Sequence, residues 1–360
     1  MSKYPTVKLG DVFTLQMGKT PSRSNSEYWK NGTKKWVSIA DLTNSSKYID
    51  NTKELITEQA IAKSGIKEVP YDIVIMSFKL SIGKAAITQD TIYTNEAIMA
   101  FIPKIKEQFL SSYLYYLFSS KDWSAGTNKA VMGTTLNKST LSSIEISCPP
   151  TEIQKIISRN LDKITDLISK RKEQLTKLDE LAKSRFLEMF GDPVTNNKQK
   201  ETALGKDIFQ FSSGKFNPTK NLNEKNPYPC YGGNGITGYS KNFIVKERTI
   251  VIGRVGAYCG SIHITEENSW ITDNAIYLKN FDNEKFDLVY LYYLFCFLDF
   301  NRFASSSGQP KITQKPLEEQ RYIIPSKISQ EKFKLFMQQL DKSKFRVKKC
   351  LKIWGFLRHL

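Results

Sequence analysis

The stretch from Glu152 to Phe190 constrains this chain more than any other. Apolar residues recur there at alternating steps of four and three: Ile157, Leu161, Ile164 and Ile168, then Leu175, Leu178, Ala182 and Met189, with Arg171 and Arg185 interrupting the register. A heptad seam of this kind marks a long helix that packs along another helix rather than onto a globular core. At about 1.5 Å per residue the rod would be roughly 57 Å long, and it needs a partner. The sequence contains one. Adding 176 to each seam position reaches Phe333, Met337, Leu340, Lys344, Val347, Leu351, Trp354 and Arg358, a second seam of the same phase.

Each rod follows a block of mixed sequence, and the blocks match. One opens with Leu9-Gly10-Asp11-Val12-Phe13 and reaches Gly18-Lys19; the other opens with Leu204-Gly205-Lys206-Asp207-Ile208-Phe209 and reaches Gly214-Lys215. The β-branched runs Asp72–Ile75 and Thr249–Ile252 read as buried strands, and lead to the Asx-Ala-Ile strands at Asn95–Ile98 and Asp273–Ile276. The hexapeptide Tyr-Leu-Tyr-Tyr-Leu-Phe then appears twice, at Tyr113–Phe118 and Tyr290–Phe295. At helical spacing its leucines and phenylalanine suit a helix packed on the sheet, with tyrosines at the edge. A strand ending at Pro149 or Pro325 precedes Gln154 or Gln330, where the rods begin, with Thr151 as a plausible N-cap. A period of about 180 residues is too long for a solenoid and implies domain duplication. The copies differ most between the Gly-Lys pair and the strand run: 53 positions from Lys19 to Asp72, 34 from Lys215 to Thr249. Shared frames with unlike inserts point to shared architecture and unlike recognition.

The 360 residues carry a formal charge of +17, which makes a polyanion the first partner to test. Ten Lys and Arg against two acids follow Ser326, so the second rod is the more basic. Five scattered cysteines without a C-x-x-C pair read as reduced thiols, neither a disulfide frame nor a zinc site. No signal peptide or membrane span is evident, and a cytoplasmic location is expected. Two histidines in different contexts, His263 and His359, offer little material for a triad or a metal cluster. Gly18-Lys19-Thr20 is similar to the end of a P-loop, but Phe13 stands where the first glycine is needed. Asn226-Pro227-Tyr228 is similar to an amino-methyltransferase signature, yet lacks its second proline and a glycine-rich cofactor loop upstream.

In the order and duplication of these motifs, together with Tyr228-Pro229-Cys230-Tyr231-Gly232-Gly233-Asn234-Gly235, the whole chain resembles the specificity subunit of type I restriction–modification systems. The resemblance implies an α+β fold: two homologous mixed α/β target-recognition domains joined by two long helices packed as an antiparallel coiled coil, with pseudo-twofold symmetry. The expected boundaries are 1–150 for the first domain, 151–191 for the central helix, 192–325 for the second domain and 326–360 for the last helix. Each domain would read one half of a bipartite target in double-stranded DNA, the helices setting the spacer. The implied protein partners are two methyltransferase (modification) subunits and, in a restricting assembly, motor/nuclease subunits. The chain itself would be a reader, with no cofactor, metal or catalytic residue. A self-sufficient DNA methyltransferase or nuclease, and a coiled-coil scaffold that binds nucleic acid without sequence preference, are the competing classes.

Phosphate contacts position a protein on DNA, whereas base-edge contacts specify sequence. In the first domain Lys19, Thr20, Ser22, Arg23, Asn25, Lys34 and Lys35 lie in a basic Gly, Pro and Ser-rich stretch around Trp36. Arg23 and Asn25 are candidate base readers, since arginine favours guanine edges and asparagine adenine. Lys79 and Lys84 flank the strand run, and Lys129 lies in a later loop. The second-domain candidates are Lys215, Asn217, Lys220, Asn234, Arg254, Tyr258, Gln309 and Lys311. Helix packing is assigned to Ile157, Leu161, Ile164, Ile168, Leu175, Leu178, Phe333, Met337, Leu340, Val347, Leu351 and Trp354.

Overall fold

The computed structural model describes residues 4–79, 81–123, 128–130, 133–305 and 308–357, and their side chains other than those within 128–135 and 353–357. The chain divides into two compact units, one running to Ser169 and the other spanning Lys170–Phe356. A single helix, Thr151–Phe190, begins in the first and ends in the second. No helix among the described residues is long and apolar enough to cross a membrane.

The first unit is built on a five-stranded sheet in the order Phe13–Met17, Ile98–Pro103, Val74–Ser77, Ala85–Thr88, Tyr48–Ile49. Its central strands are buried on both faces, which is why they read as continuous apolar runs rather than alternating ones. Val74, Met76, Met99 and Phe101 point into one cluster, with Leu114 and Phe118 of the hexapeptide helix Ser111–Ser120. Ile75, Ile98 and Ala100 point into the other, against Val37 and Leu42. A three-stranded sheet, Glu54–Ile56, Lys34–Val37, Tyr93–Thr94, packs its own cluster around Trp36, Ile56 and Ala60.

The second unit repeats this plan with fewer strands. Its main sheet runs Phe209–Ser213, Ala275–Phe281, Ile250–Gly253, Ile262–Ile264, and its smaller sheet Gly235–Ser240, Tyr228–Gly232, Trp270–Ile271. The correspondence extends to strand direction. Trp36 pairs in parallel with Tyr93 in one small sheet, and Cys230 with Trp270 in the other. What the first unit adds is the edge strand Tyr48–Ile49 and the helices Ile39–Asn44 and Glu58–Ser64, all within its longer insert. The openings are equivalent too: Thr6–Lys8 pairs with Glu145–Ser147, and Thr202–Leu204 with Arg321–Ile323.

The first tyrosine of each hexapeptide lies inside the protein and not at the helix edge, where sequence alone put it. Tyr113 and Tyr290 are buried, and their hydroxyls donate to the carbonyls of Ser147 (3.1 Å) and Ile323 (2.9 Å). A buried phenol is tolerable where its O–H meets an acceptor. Thr151, expected as an N-cap, sits within the first turn instead. The amides of Ile153 and Gln154 bond to the Pro150 carbonyl, and the Thr151 hydroxyl reaches Glu107 O.

In the second unit the end of the central helix and the helix Lys327–Leu357 run antiparallel: Asp179 pairs with Lys344 at 2.6 Å, while Phe186 and Phe190 meet Phe333 at 5.6 and 5.5 Å between ring centroids. Ala182, Phe186 and Phe190 are buried together with Phe333, Met337 and Leu340, and Leu178 packs against them. The buried face at this end steps by four residues, leaving the heptad count, which passes through Arg185 and Met189. A straight helix drifts about 20° per heptad, and here Phe186 also stacks on Tyr290 and Phe297 of the hexapeptide helix. In the first unit Ile157 packs on the domain cluster. Leu161, Ile168, Leu175 and Leu351 are half-buried and Val347 is buried, whereas Ile164 is 42% exposed. The Trp354 side chain lies outside the described residues.

Candidate nucleic-acid interface

Three strand ends converge at one end of each main sheet. In the first unit these are the end of Phe13–Met17, the approach to Ile98 and the end of Val74–Ser77; in the second they are the end of Phe209–Ser213, the approach to Ala275 and the end of Ile250–Gly253. The Gly-Lys pairs stand at this convergence. A Cβ at Gly18 or Gly214 would overlap the carbonyl oxygen of Thr94 or Thr272, so only glycine lets the chains approach there. The following lysine is then held by its backbone. Lys19 N donates to Thr94 O (2.8 Å) and Lys215 N to Ile271 O (2.9 Å). The carbonyl of each lysine accepts from an indole, Trp36 Nε1 or Trp270 Nε1, both at 3.0 Å. Two tryptophans on non-equivalent strands thus perform one task.

In the first unit a cleft of about 510 Å³ opens at this end, lined by Arg23, Trp36, Ser38, Lys79, Asn95 and Glu96 among others. Arg23 is fixed in it. Its guanidinium makes a two-pronged bond to the Glu54 carboxylate, Nη2 to Oε2 at 2.9 Å, and lies 3.7 Å from the Trp29 ring centroid and 4.9 Å from that of Trp36. The hydrogen bond with Glu54 raises the Arg23 pKa and holds the Glu54 carboxyl below its ordinary value. Thr20 Oγ1 donates to Glu96 and accepts from Asn95 Nδ2 at 3.0 Å. Asn25 Oδ1 accepts from Glu27 N (3.0 Å), capping a short 3-10 turn, and Ser22 Oγ bonds to Ser24 Oγ (2.8 Å).

The lysines differ. Lys34 pairs with Glu58 and Lys35 with Asp90, each at 3.0 Å, raising the Lys34 pKa and lowering that of Asp90. Exposed pairs of this kind are weak and screened by solvent, so a phosphate could displace either carboxylate at little cost. Lys19 Nζ donates to Ser64 O (2.7 Å), and Lys79 Nζ lies 5.2 Å from the Phe78 ring centroid. Lys84 is exposed; the Lys129 side chain lies outside the described residues.

In the second unit the expected residues come together more closely. The Gly233-Asn234 turn, Arg254, Tyr258 and the segment Gln309–Lys311 meet around Gly253, where any Cβ would collide with the Tyr258 and Gly233 carbonyls. Ser261 Oγ lies within hydrogen-bonding distance of both of those carbonyls, with one proton to give to either. Val255 bridges to Lys311, and Gly256 N donates to Pro310 O at 2.9 Å. Asn234, Tyr258, Gln309 and Lys311 are exposed on these turns. Asn217 Nδ2 donates to Ser240 Oγ (3.3 Å), and Lys220 is exposed in a separate 3-10 turn. Phe216, absent from the candidates above, is 72% exposed between Lys215 and Asn217. An aromatic between basic and amide residues is its only sequence signal. Glu54 and Trp29 were missed as well, because neither carries a sign of its role as a partner of Arg23.

Two homologous domains thus present basic and amide side chains from matching sheet ends, each attached to a long helix, a duplicated plan of mixed α/β domains and helices. The model of the type I restriction modification DNA specificity domain matches residues 1–177 and again residues 197–353. The chain belongs to that family. It is 25% identical over 339 residues to the type I restriction enzyme EcoprrI specificity subunit of Escherichia coli, a match spanning 88% of this chain and 82% of that protein. It is 33% identical over 189 residues to the type I restriction enzyme MjaIX specificity subunit of Methanocaldococcus jannaschii, across 51% of this chain and 43% of the relative. Two solved structures share the fold at 16% identity. One is the type I restriction–modification system S subunit from M. genitalium, with a TM-score of 0.60 over 99% of this chain and 94% of that one. The other is a chain from a study of assembly and conformational transition in the type I restriction–modification system, with a TM-score of 0.67 over 100% and 97%.

Proposed function

We propose that this chain is the DNA-specificity subunit of a cytoplasmic type I restriction–modification assembly. Each unit reads one half of a bipartite duplex target with its sheet-end loops. The two long helices set the spacer between the halves and dock methyltransferase subunits, two in number, with motor/nuclease subunits joining in a restricting assembly. The observation that carries this reading is the duplication of the sheet-end site, the same glycine–lysine clamp surrounded by unlike loops. One frame repeated with unlike loops suits two half-sites of unlike sequence. The boundaries 1–150, 151–191, 192–325 and 326–360 serve as the working division into reading and spacing parts. The chain supplies specificity and not chemistry; methyl transfer belongs to its partners.

Whole-genome methylation mapping of a host with and without the gene tests this. The expected result is a two-part methylated motif that disappears with the chain. A motif that persists without it, or methyl transfer from labelled S-adenosylmethionine by the purified chain alone, would overturn the proposal.

A further inference from the structure

The two arginines at the sheet ends are in opposite states. Arg23 has its guanidinium engaged by Glu54 and covered by Trp29. Arg254 forms no ion pair among the described residues, and its Nε is buried without a hydrogen-bond partner. Its remaining contacts are long ones: Nη1 to Ser213 Oγ at 3.4 Å and to Asp273 O at 3.5 Å. The backbone beneath it is held firmly. Arg254 N donates to Asn274 O (2.9 Å), and its carbonyl accepts from Ile312 N (2.9 Å) and from Cys259 Sγ (3.3 Å). Ser213 is itself oriented by Gln314 Nε2 at 3.2 Å. A guanidinium with unused donors thus stands on a fixed base, half-buried where Asn234, Tyr258 and Lys311 converge.

We infer that Arg254 is the principal base reader of the second unit and that it reads a guanine, donating in a fork to O6 and N7 in the major groove, while Arg23 is a structural arginine of the first unit. The inference rests on the DNA-reading role proposed above. A planar five-donor fork matches the paired acceptors of guanine, which no other base presents. Loss of the fork should therefore cost discrimination at one base pair. A phosphate contact would instead weaken binding to every sequence alike and lower the salt dependence. The Glu54 carboxylate denies Arg23 the same use, because reaching a base would break a two-pronged bond and an aromatic contact together.

The test is selection of binding sites from a randomised duplex library at fixed salt, using the full-length chain, Arg254→Lys and Arg254→Gln, with thermal melts to confirm folding. Wild type should select a two-part consensus with a guanine in one half. Arg254→Lys retains the charge without the fork and should lose that preference by about 5- to 150-fold, leaving the other positions and the other half-site intact. An unchanged two-part consensus for the folded lysine variant would overturn the inference while sparing the reading it rests on. So would a uniform loss of affinity across all sequences. A wild type that selects no consensus would overturn both.

Discussion

Gln154 and Gln330 make the same three hydrogen bonds, one residue at the foot of each long helix. Gln154 accepts from Leu110 N and donates to the carbonyls of Gln108 and Pro149, all at 2.9 Å. Gln330 accepts from Asp287 N (2.8 Å) and donates to the carbonyls of Lys285 (2.8 Å) and Pro325 (2.9 Å). Both side chains are fully buried, so each ties a rod to the loop ahead of the hexapeptide helix and to the proline turn. An unmet buried polar group costs about 1–3 kcal/mol. Gln330→Ala, which strands three of them, should cost about 3 kcal/mol or more in urea denaturation, and Gln330→Glu no less, since a carboxylate cannot donate to two carbonyls. A loss under about 1 kcal/mol for both variants would show that water or relaxation satisfies these groups.

Phe186 ties the central helix into the second unit, touching Tyr290, Phe297, Phe333 and Phe190. Phe186→Ala should destabilise that unit by about 3–5 kcal/mol. Leu181, which is 48% exposed on the same helix, serves as a comparison. Its replacement by alanine should change stability by no more than about 0.5 kcal/mol. Equal effects in chemical denaturation would contradict packing through a face that steps by four residues.

The His263 imidazole is partly buried, with Nε2 unpartnered, and burial lowers its pKa from the ordinary 6.5. The unfolded chain therefore takes up this proton at a higher pH than the folded one. As pH falls below about 6.5 the unfolded state binds more protons, and this histidine's contribution to stability declines; above that window it is constant. Wild type and His263→Gln should then differ by a fixed amount above pH 7 and by a changing amount in more acid solution. Parallel stability profiles across the whole range would remove the effect.

The Phe216 ring is 72% exposed, so Phe216→Ala should leave the melting temperature within a degree or two. On the proposed DNA-reading role, an exposed ring beside Lys215 and Asn217 is placed to meet a sugar or base. Its loss should weaken binding to that target, since an apolar ring against a sugar or base edge buries surface that water otherwise covers. Titration of a fluorescent duplex carrying the selected target measures this. Unchanged affinity would remove Phe216 from the interface.

Much of this architecture was legible in the chain. Local pattern revealed the duplication, because Gly18-Lys19 and Gly214-Lys215, the hexapeptides, Gln154 and Gln330 are each required by the same backbone geometry in both copies. Side-chain partnerships were not legible. Glu54 lies 31 residues from Arg23 and has no motif to link them, so their ion pair could not be read from the chain. Counting heptads missed Phe186 and Phe190 for another reason. The count assumes that a helix has only a helix to pack against, whereas this one ends in a domain core, where the 3.6-residue period of the helix rules. Tyr113 was placed at an edge because a sequence does not show that the Ser147 carbonyl waits inside to accept its hydroxyl.

On the proposed function, each unit reads one half of the target by itself. Exchanging residues 1–150 for the first domain of another family member, followed by genome-wide methylation mapping, tests it most directly. The methylated motif should have one half replaced and the other half, together with the spacer length, preserved. Replacement of both halves, or of neither, in a chimaera that still directs methylation would contradict it.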